Sequence, residues 1–251
     1  MLEATSRWID LDGAVNARVV VPGRLLRSDN LQALSERDVA LLTGELGLRT
    51  VIDLRTDAER RLEGPAPLDS VDGVEVLALS LYPETGGNTD LDAETIKPWE
   101  EVGKHPDDAD ELPAVRAYYG YLRHRPDSIV AALRAIARTD GTALVHCAAG
   151  KDRTGVVVGL ALELAGVPRA EIDADYLLTG ERIAQIVARL AASPTYAGEM
   201  HSSDPAQHAP RPGALARVLE LLDEREGSPE AYLRAHGLED DAVATLRALQ
   251  A

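Results

Sequence analysis

The chain holds a single cysteine, Cys147, and five residues separate it from Arg153. A thiol reacts as its thiolate, and a thiolate forms near neutral pH only where positive charge or aligned N–H groups surround it. Arg153 supplies one such charge, His146 another, and the start of a helix a third. The planar fork of Arg153 can also grip two oxygens of a phosphoryl group and spread the charge that builds as the group transfers. Between the two lie Ala148, Ala149, Gly150, Lys151 and Asp152. These residues let the backbone curl with its N–H groups around an anion, and Gly150 removes a side chain at the curl. Thr154 adds a hydroxyl able to stabilise the sulfur as it leaves. The chemistry this set suits is attack of sulfur on a phosphate ester.

Such groups need elements to aim them. Thr142 to Val145 is a β-branched and apolar run behind an Asp-Gly turn, which reads as a buried strand, and Thr154 to Ala165 is apolar at helical length. A strand, a loop and a helix N-terminus in that order form an anion site before any side chain is counted. Upstream, Val19–Val21 and Leu25–Leu26 flank Pro22-Gly23 and predict a small hairpin. Ser35 caps a predicted helix running to about Leu46, which Gly47 ends. Thr50–Leu54 and Val74–Leu79 read as further strands. Asp53 and Arg55 stand at the C-terminal end of the first of these, the edge where parallel α/β sheets place their sites. Asp53 reads either as a general acid or as a cap or partner of Arg55. Helices are expected over Ala114–Arg123 and Asp127–Arg138, and in an α-rich C-terminal third over Ala170–Leu178, Glu181–Ala192, Leu215–Glu224, Pro229–His236 and Ala242–Leu249. The fold class is α/β, a mostly parallel central sheet flanked by helices. Tyr118, Tyr119 and Tyr121 serve either as a stacking surface for a substrate or as core.

The string HCAAGKDRTG resembles the signature of the cysteine-based protein tyrosine phosphatases, and within them a bacterial branch with Lys-Asp before the arginine. PGRLLRSDNL followed by LGLRTVIDLRTDAE, and GSPEAYLRAHGL near the end, extend that resemblance along most of the chain. It implies hydrolysis of phosphomonoesters, on phosphotyrosine and also phosphoinositides, through a cysteinyl-phosphate held by Arg153 and the N–H groups of residues 148–153. It implies no cofactor, and Asp53 or Asp152 as the group that protonates the leaving oxygen and then activates water. Lys151 is an extra cation that suits a headgroup with more than one phosphate, or else a partner of Asp152. The Asn-Phe-Arg-Asp string usual in the branch is replaced by Asn16, Ala17, Arg18 and Val19, to which no role is assigned. The Trp-Pro-Asp acid loop of related phosphatases has as its nearest match Tyr82-Pro83-Glu84.

A net charge of −16 over 251 residues argues against nucleic acid or anionic membrane as general partners, so a phosphate must be drawn by a local field. One cysteine excludes an internal disulfide, and the six histidines lack ligand spacing, so no metal is implied. The length fits a single domain over 1–251, with a flexible lid or insert at 83–112, where glycines and prolines break an acidic stretch. No apolar run is long enough for stable membrane insertion, and a cytoplasmic location is expected, with export lacking a signal peptide left open. The rival reading from a different class is a phosphate-binding module that kept the cradle without an acid. An arsenate reductase or sulfur carrier is a third, weakened by the lack of further thiols.

Overall fold

In the computed structural model, which describes residues 8–82, 105–197 and 204–249, five strands make one sheet in the order β1-β2-β5-β3-β4. β1 (Arg18–Val21) and β2 (Leu25–Ser28) are the antiparallel hairpin expected from Pro22-Gly23. β3 (Leu48–Asp53), β4 (Glu75–Ala78) and β5 (Thr142–His146) join β2 in parallel. β5 lies in the middle, and every residue of it is buried. Its two faces feed two cores: Ala143 and Val145 pack into the larger cluster and Leu144 into the smaller one. A strand buried on both faces reads as a continuous apolar run rather than an alternating one, as Thr142–Val145 does.

The register sets the site. Ser28 pairs with His146 on one side, and Asp53 pairs with His146 on the other. All three therefore end at one level of the C-terminal edge, and the chain leaving β5 enters its loop between the ends of β2 and β3.

Around the sheet run α1 (Glu36–Ala40), continued by a wide turn at Leu41–Glu45, then α2 (Asp57–Glu63), α3 (Pro113–His124), α4 (Pro126–Arg138) and α5 (Asp152–Leu164). The C-terminal part is α6 (Arg169–Leu178), α7 (Ile183–Ala192), α8 (Ala214–Glu226), α9 (Pro229–Ala235) and α10 (Asp240–Arg247). α5 is the central helix. Val156, Val157, Val158 and Leu160 are each at most 1 % exposed, a burial that contributes about 1.5–3 kcal/mol per side chain.

Two details differ from expectation. The predicted helix over Glu181–Ala192 is a 3-10 turn at Thr179–Arg182 that hands over to α7. α2 is an additional helix, and Thr56 caps it in a reciprocal box with Glu59. Of the expected lid at 83–112, residues 83–104 lie outside the described residues. The rest holds a short turn at Pro106–Asp108, where buried Asp108 accepts from Arg123 at 2.8 Å and Arg225 at 2.6 Å. No helix among the described residues is long and apolar enough to cross a membrane.

Candidate active site

The loop from Cys147 to Lys151 is held from behind by its carbonyls. The Ala148 carbonyl accepts from the Asn30 N–H at 3.0 Å, and that of Ala149 accepts from Asn16 Nδ2 at 2.9 Å. The Gly150 carbonyl accepts from Arg27 Nη2 at 2.7 Å and Asn16 Nδ2 at 3.1 Å. The Lys151 carbonyl accepts the Gly155 N–H at 2.8 Å, the first bond of α5. In a trans peptide the C=O and the following N–H point opposite ways. Tying these four carbonyls outward thus turns the N–H groups of residues 149–152 to the other side, where an anion would sit. Gly150 makes the curl with φ of 64° and lies so close to β2 that a Cβ would fall 2.3 Å from the Ser28 carbonyl oxygen. Glycine is required there twice over, by conformation and by space.

The tethers are themselves anchored. Arg18 and Arg27 are buried, and Asp175 on α6 accepts from both, from Arg18 Nε at 3.1 Å and Arg27 Nη1 at 2.6 Å. Burial works to raise the Asp175 carboxyl, but Arg27 and Arg18 hold it below its ordinary value. Asn16 Oδ1 accepts from Arg18 Nη1 at 2.6 Å, which fixes the amide so that Nδ2 faces the loop. The segment Asn16–Val19, assigned no role from sequence, is therefore a correction: Asn16 and Arg18 shape the loop.

Arg153 is buried and its fork meets the carboxylate of Glu59 in two bonds, Nη1 to Oε2 at 2.6 Å and Nη2 to Oε1 at 2.8 Å. It also reaches the Leu54 carbonyl at 3.3 Å, the Tyr196 hydroxyl oxygen at 3.4 Å and the ring of Tyr82, over which the guanidinium carbon lies 5.0 Å from the centroid. The Tyr196 hydroxyl also donates to Glu59. Burial works against the ionised forms of both partners, yet Arg153 holds the Glu59 carboxyl low and Glu59 holds the guanidinium charged. Thr154 Oγ1 is buried with no hydrogen-bond partner among the described residues.

A cavity of about 350 Å³ opens on this loop. Cys147, Ala148, Ala149, Lys151, Asp152 and Arg153 form its floor, and Tyr82, Tyr118 and Tyr121 are on its wall. Ile183, Ile186, Val187 and Leu190, one stripe of α7, give it an apolar side. Tyr118 and Tyr121 are thus core and wall at once, whereas Tyr119 is buried without lining this cavity. Asp152 is 35 % exposed, with Oδ2 lying 3.5 Å from Lys151 Nζ and Oδ1 accepting from the Tyr118 hydroxyl. Lys151 Nζ donates to the His208 carbonyl at 2.6 Å.

Asp53 is elsewhere. With Arg55 it lines a separate cleft of about 450 Å³ bounded by Gln32, Arg60 and Asp69. Arg55 meets it with Nε at 2.9 Å, Nη2 at 2.6 Å and its backbone N–H at 3.0 Å. Burial would raise the Asp53 carboxyl, but His146 and Arg55 hold it down at about 2. Burial also pushes His146 down to about 4, with Asp53 resisting and Arg55 and Arg153 adding to the fall. His146 is therefore neutral near pH 7, which corrects the expectation that it lends positive charge to the thiol. Arg55 is then what keeps Asp53 ionised, and a carboxyl held so low has no proton to give at neutral pH.

Glu59, Tyr196, Asn16, Arg27 and Asp175 escaped the sequence reading. Only Glu59 carried a local signal, the Thr56-x-x-Glu59 spacing of a capping box. The others act across separations that no short window spans.

The family follows from comparison with known proteins. A family model described as "Tyrosine phosphatase family" matches residues 10–250. A tyrosine-protein phosphatase of Nostoc commune is 30 % identical over 93 % of this chain and 76 % of its own length. The triple specificity protein phosphatase PtpB of Mycobacterium tuberculosis is 31 % identical over 98 % of this chain and 97 % of its own. Among solved structures, the catalytic domain of the PP-IP phosphatase SIW14 from S. cerevisiae covers 85 % of this chain and 96 % of that one, at 15 % identity and a TM-score of 0.40, a likeness too slight to bear on function. With the family model spanning nearly the whole chain and two relatives matched over most of their length, this protein belongs to the tyrosine phosphatase family and is a phosphatase.

Proposed function

We propose that the chain hydrolyses phosphate monoesters in two steps, with phosphotyrosine as the principal substrate class. In the first step Cys147 Sγ forms a bond to phosphorus as the bond to the leaving oxygen breaks, and Asp152 gives that oxygen its proton. In the second, a water oxygen bonds to phosphorus, the S–P bond breaks, and Asp152 takes the water's proton back. The N–H groups of residues 149–152 and the Arg153 guanidinium stabilise the equatorial oxygens in both steps. Thr154, whose buried hydroxyl has no hydrogen-bond partner among the described residues, takes the role of donor to the departing sulfur in this reading. Asp53 is not given the acid's task, because Arg55 engages it in another cleft.

The observation that carries this reading is the convergence of Cys147, Arg153 and the partly exposed carboxylate of Asp152 on one cavity. The apolar stripe of α7 beside it suits an aromatic ring better than a charged side chain. A second reading adds phosphoinositides, on the strength of Lys151 at the cavity floor, an extra cation for a headgroup with more than one phosphate. It has less support, because the ammonium already donates to the His208 carbonyl at 2.6 Å.

The test is turnover of para-nitrophenyl phosphate, a phosphotyrosine peptide and a phosphoinositide, each with and without orthovanadate. Saturable, vanadate-sensitive release on the first two is expected. Cys147→Ser should retain phosphate binding and lose more than roughly a hundredfold in kcat, since removal of a nucleophile costs several kcal/mol of barrier. Retention of above about a tenth of the rate in that variant would sink the mechanism. Binding without turnover by the wild type would favour the non-catalytic module. Failure on phosphoinositide alone removes only the second reading.

A further inference from the structure

Asp152 Oδ1 accepts from the Tyr118 hydroxyl, and the Tyr118 oxygen lies 2.8 Å from that of Tyr176. The Tyr176 oxygen in turn accepts the Arg211 backbone N–H at 3.2 Å. Both ends of this series have a forced direction. Ionised Asp152 can only accept at Oδ1, as can its acid form with the proton on Oδ2, and a backbone N–H can only donate. With the Tyr118 proton committed to Asp152, the contact between the two tyrosines must run from Tyr176 to Tyr118. The series is therefore Arg211 N–H to Tyr176, Tyr176 O–H to Tyr118, and Tyr118 O–H to Asp152. It crosses from the residues just before α8 through α6 and α3 to the first residue of α5.

Both hydroxyls keep their protons. Burial and the charge of Asp152 raise Tyr118 well above its ordinary value, and burial with the same charge pushes Tyr176 up to about 12. The other charged or titratable groups around Asp152 come from four elements. Lys151 lies 3.5 Å from Oδ2. Tyr121 on α3 and Tyr82 beyond β4 both feel the carboxylate's charge. His208, in the turn at Pro205–His208, is held below its ordinary value by burial and by Lys151.

We infer that Tyr118, backed by Tyr176, is a positioning residue for the leaving-group proton: by occupying Oδ1 it confines the proton that Asp152 gives and regains to Oδ2, whose neighbour is Lys151 Nζ at 3.5 Å. This rests on Asp152 being the acid. In the first step the Oδ2–H bond breaks as the leaving oxygen gains the proton, and in the second Oδ2 takes a proton from water. The tyrosines transfer nothing and hold the carboxylate at one rotation throughout.

The experiment compares phenyl phosphate with para-nitrophenyl phosphate, two substrates of one shape whose leaving groups differ in their need for a proton. Tyr118→Phe removes one oxygen and keeps the ring, and a thermal melt confirms that the variant is folded. Its kcat on phenyl phosphate should fall roughly ten-fold, as for loss of one hydrogen bond to a charged group. On para-nitrophenyl phosphate the fall should stay within about two-fold, and KM should hold for both. Tyr176→Phe should show a smaller loss of the same selectivity and add nothing to Tyr118→Phe, because its route to Asp152 runs through that hydroxyl. Equal losses on the two substrates in Tyr118→Phe, or additive losses in the double variant, overturn the relay. Asp152→Asn separates the two levels. If it is selective for phenyl phosphate while Tyr118→Phe is not, Asp152 stands as the acid and the relay falls. If Asp152→Asn itself loses equally on both, Asp152 is not the acid and the relay's premise goes with it.

Discussion

Glu59 shows how one side chain can serve a local and a distant need together. As the third residue of α2 it accepts the Thr56 N–H at 2.8 Å through Oε2, while both carboxylate oxygens hold the Arg153 fork. The helix cap aims the carboxylate, and the carboxylate aims the arginine. Glu59→Gln keeps the size but offers the fork one oxygen and an NH2. Breaking a buried pair on one side costs about 3–5 kcal/mol of stability, and the guanidinium should lose its alignment. The expected result is a fall in kcat/KM of at least roughly ten-fold, with a lower denaturation midpoint. Unchanged kinetics would mean that Arg153 orients itself without help. Cys147 and Arg153 were legible as a pair because their spacing is local. Which carboxylate to propose beside them was not, since the choice between Asp53 and Asp152 turns on Arg55, whose fork faces back onto Asp53.

At the scale of elements, the hairpin of β1 and β2 does more than widen the sheet. The chain entering it brings Asn16 under the loop after β5, β2 brings Arg27, and the residues after β2 bring Asn30. Asn16→Ala removes the side-chain donor to the Ala149 carbonyl and one of the two donors to the Gly150 carbonyl, and it takes from Arg18 Nη1 its acceptor at 2.6 Å. It should cost about 1–3 kcal/mol of stability. It should also weaken competitive inhibition by inorganic phosphate, because loop N–H groups no longer held in place bind an anion less well. An unaltered inhibition constant would show that Arg27 and Asn30 suffice. Pro22-Gly23 and the apolar runs around it made the hairpin legible, and Asp-Gly did the same for the start of β5. The tethering was hidden because Asn16 and Ala149 are 133 positions apart, beyond the reach of any periodicity or turn rule. α2 was missed although Thr56 and Glu59 carry its cap.

For the molecule as a whole, buried titratable groups set how stability follows pH. An unfolded His146 takes up a proton as pH falls through 6.5, whereas the folded one resists until about 4. Stability should therefore be full above that window and decline as pH drops through it, by on the order of 3 kcal/mol. Asp53 has the depressed pattern of a paired carboxylate. Its contribution is present above 3.8 and is lost as pH falls toward about 2. Urea titrations at pH 7 and pH 4.5 should show the first decline, and His146→Gln should flatten it; a slope that survives the substitution would assign it to other groups. The parallel order of the sheet followed from alternating strands and helices, while the burial that displaces these two groups depends on packing from both sides of the sheet. The loop's tethers have a last consequence, for how such a site could be moved. Grafting HCAAGKDRTG with its strand and helix into another α/β protein would carry the sulfur and the guanidinium across. It would leave behind Asn16, Arg27, Asn30, Glu59 and Asp175. The string marks the family, but the working part is spread along the chain and cannot be transplanted as a cassette.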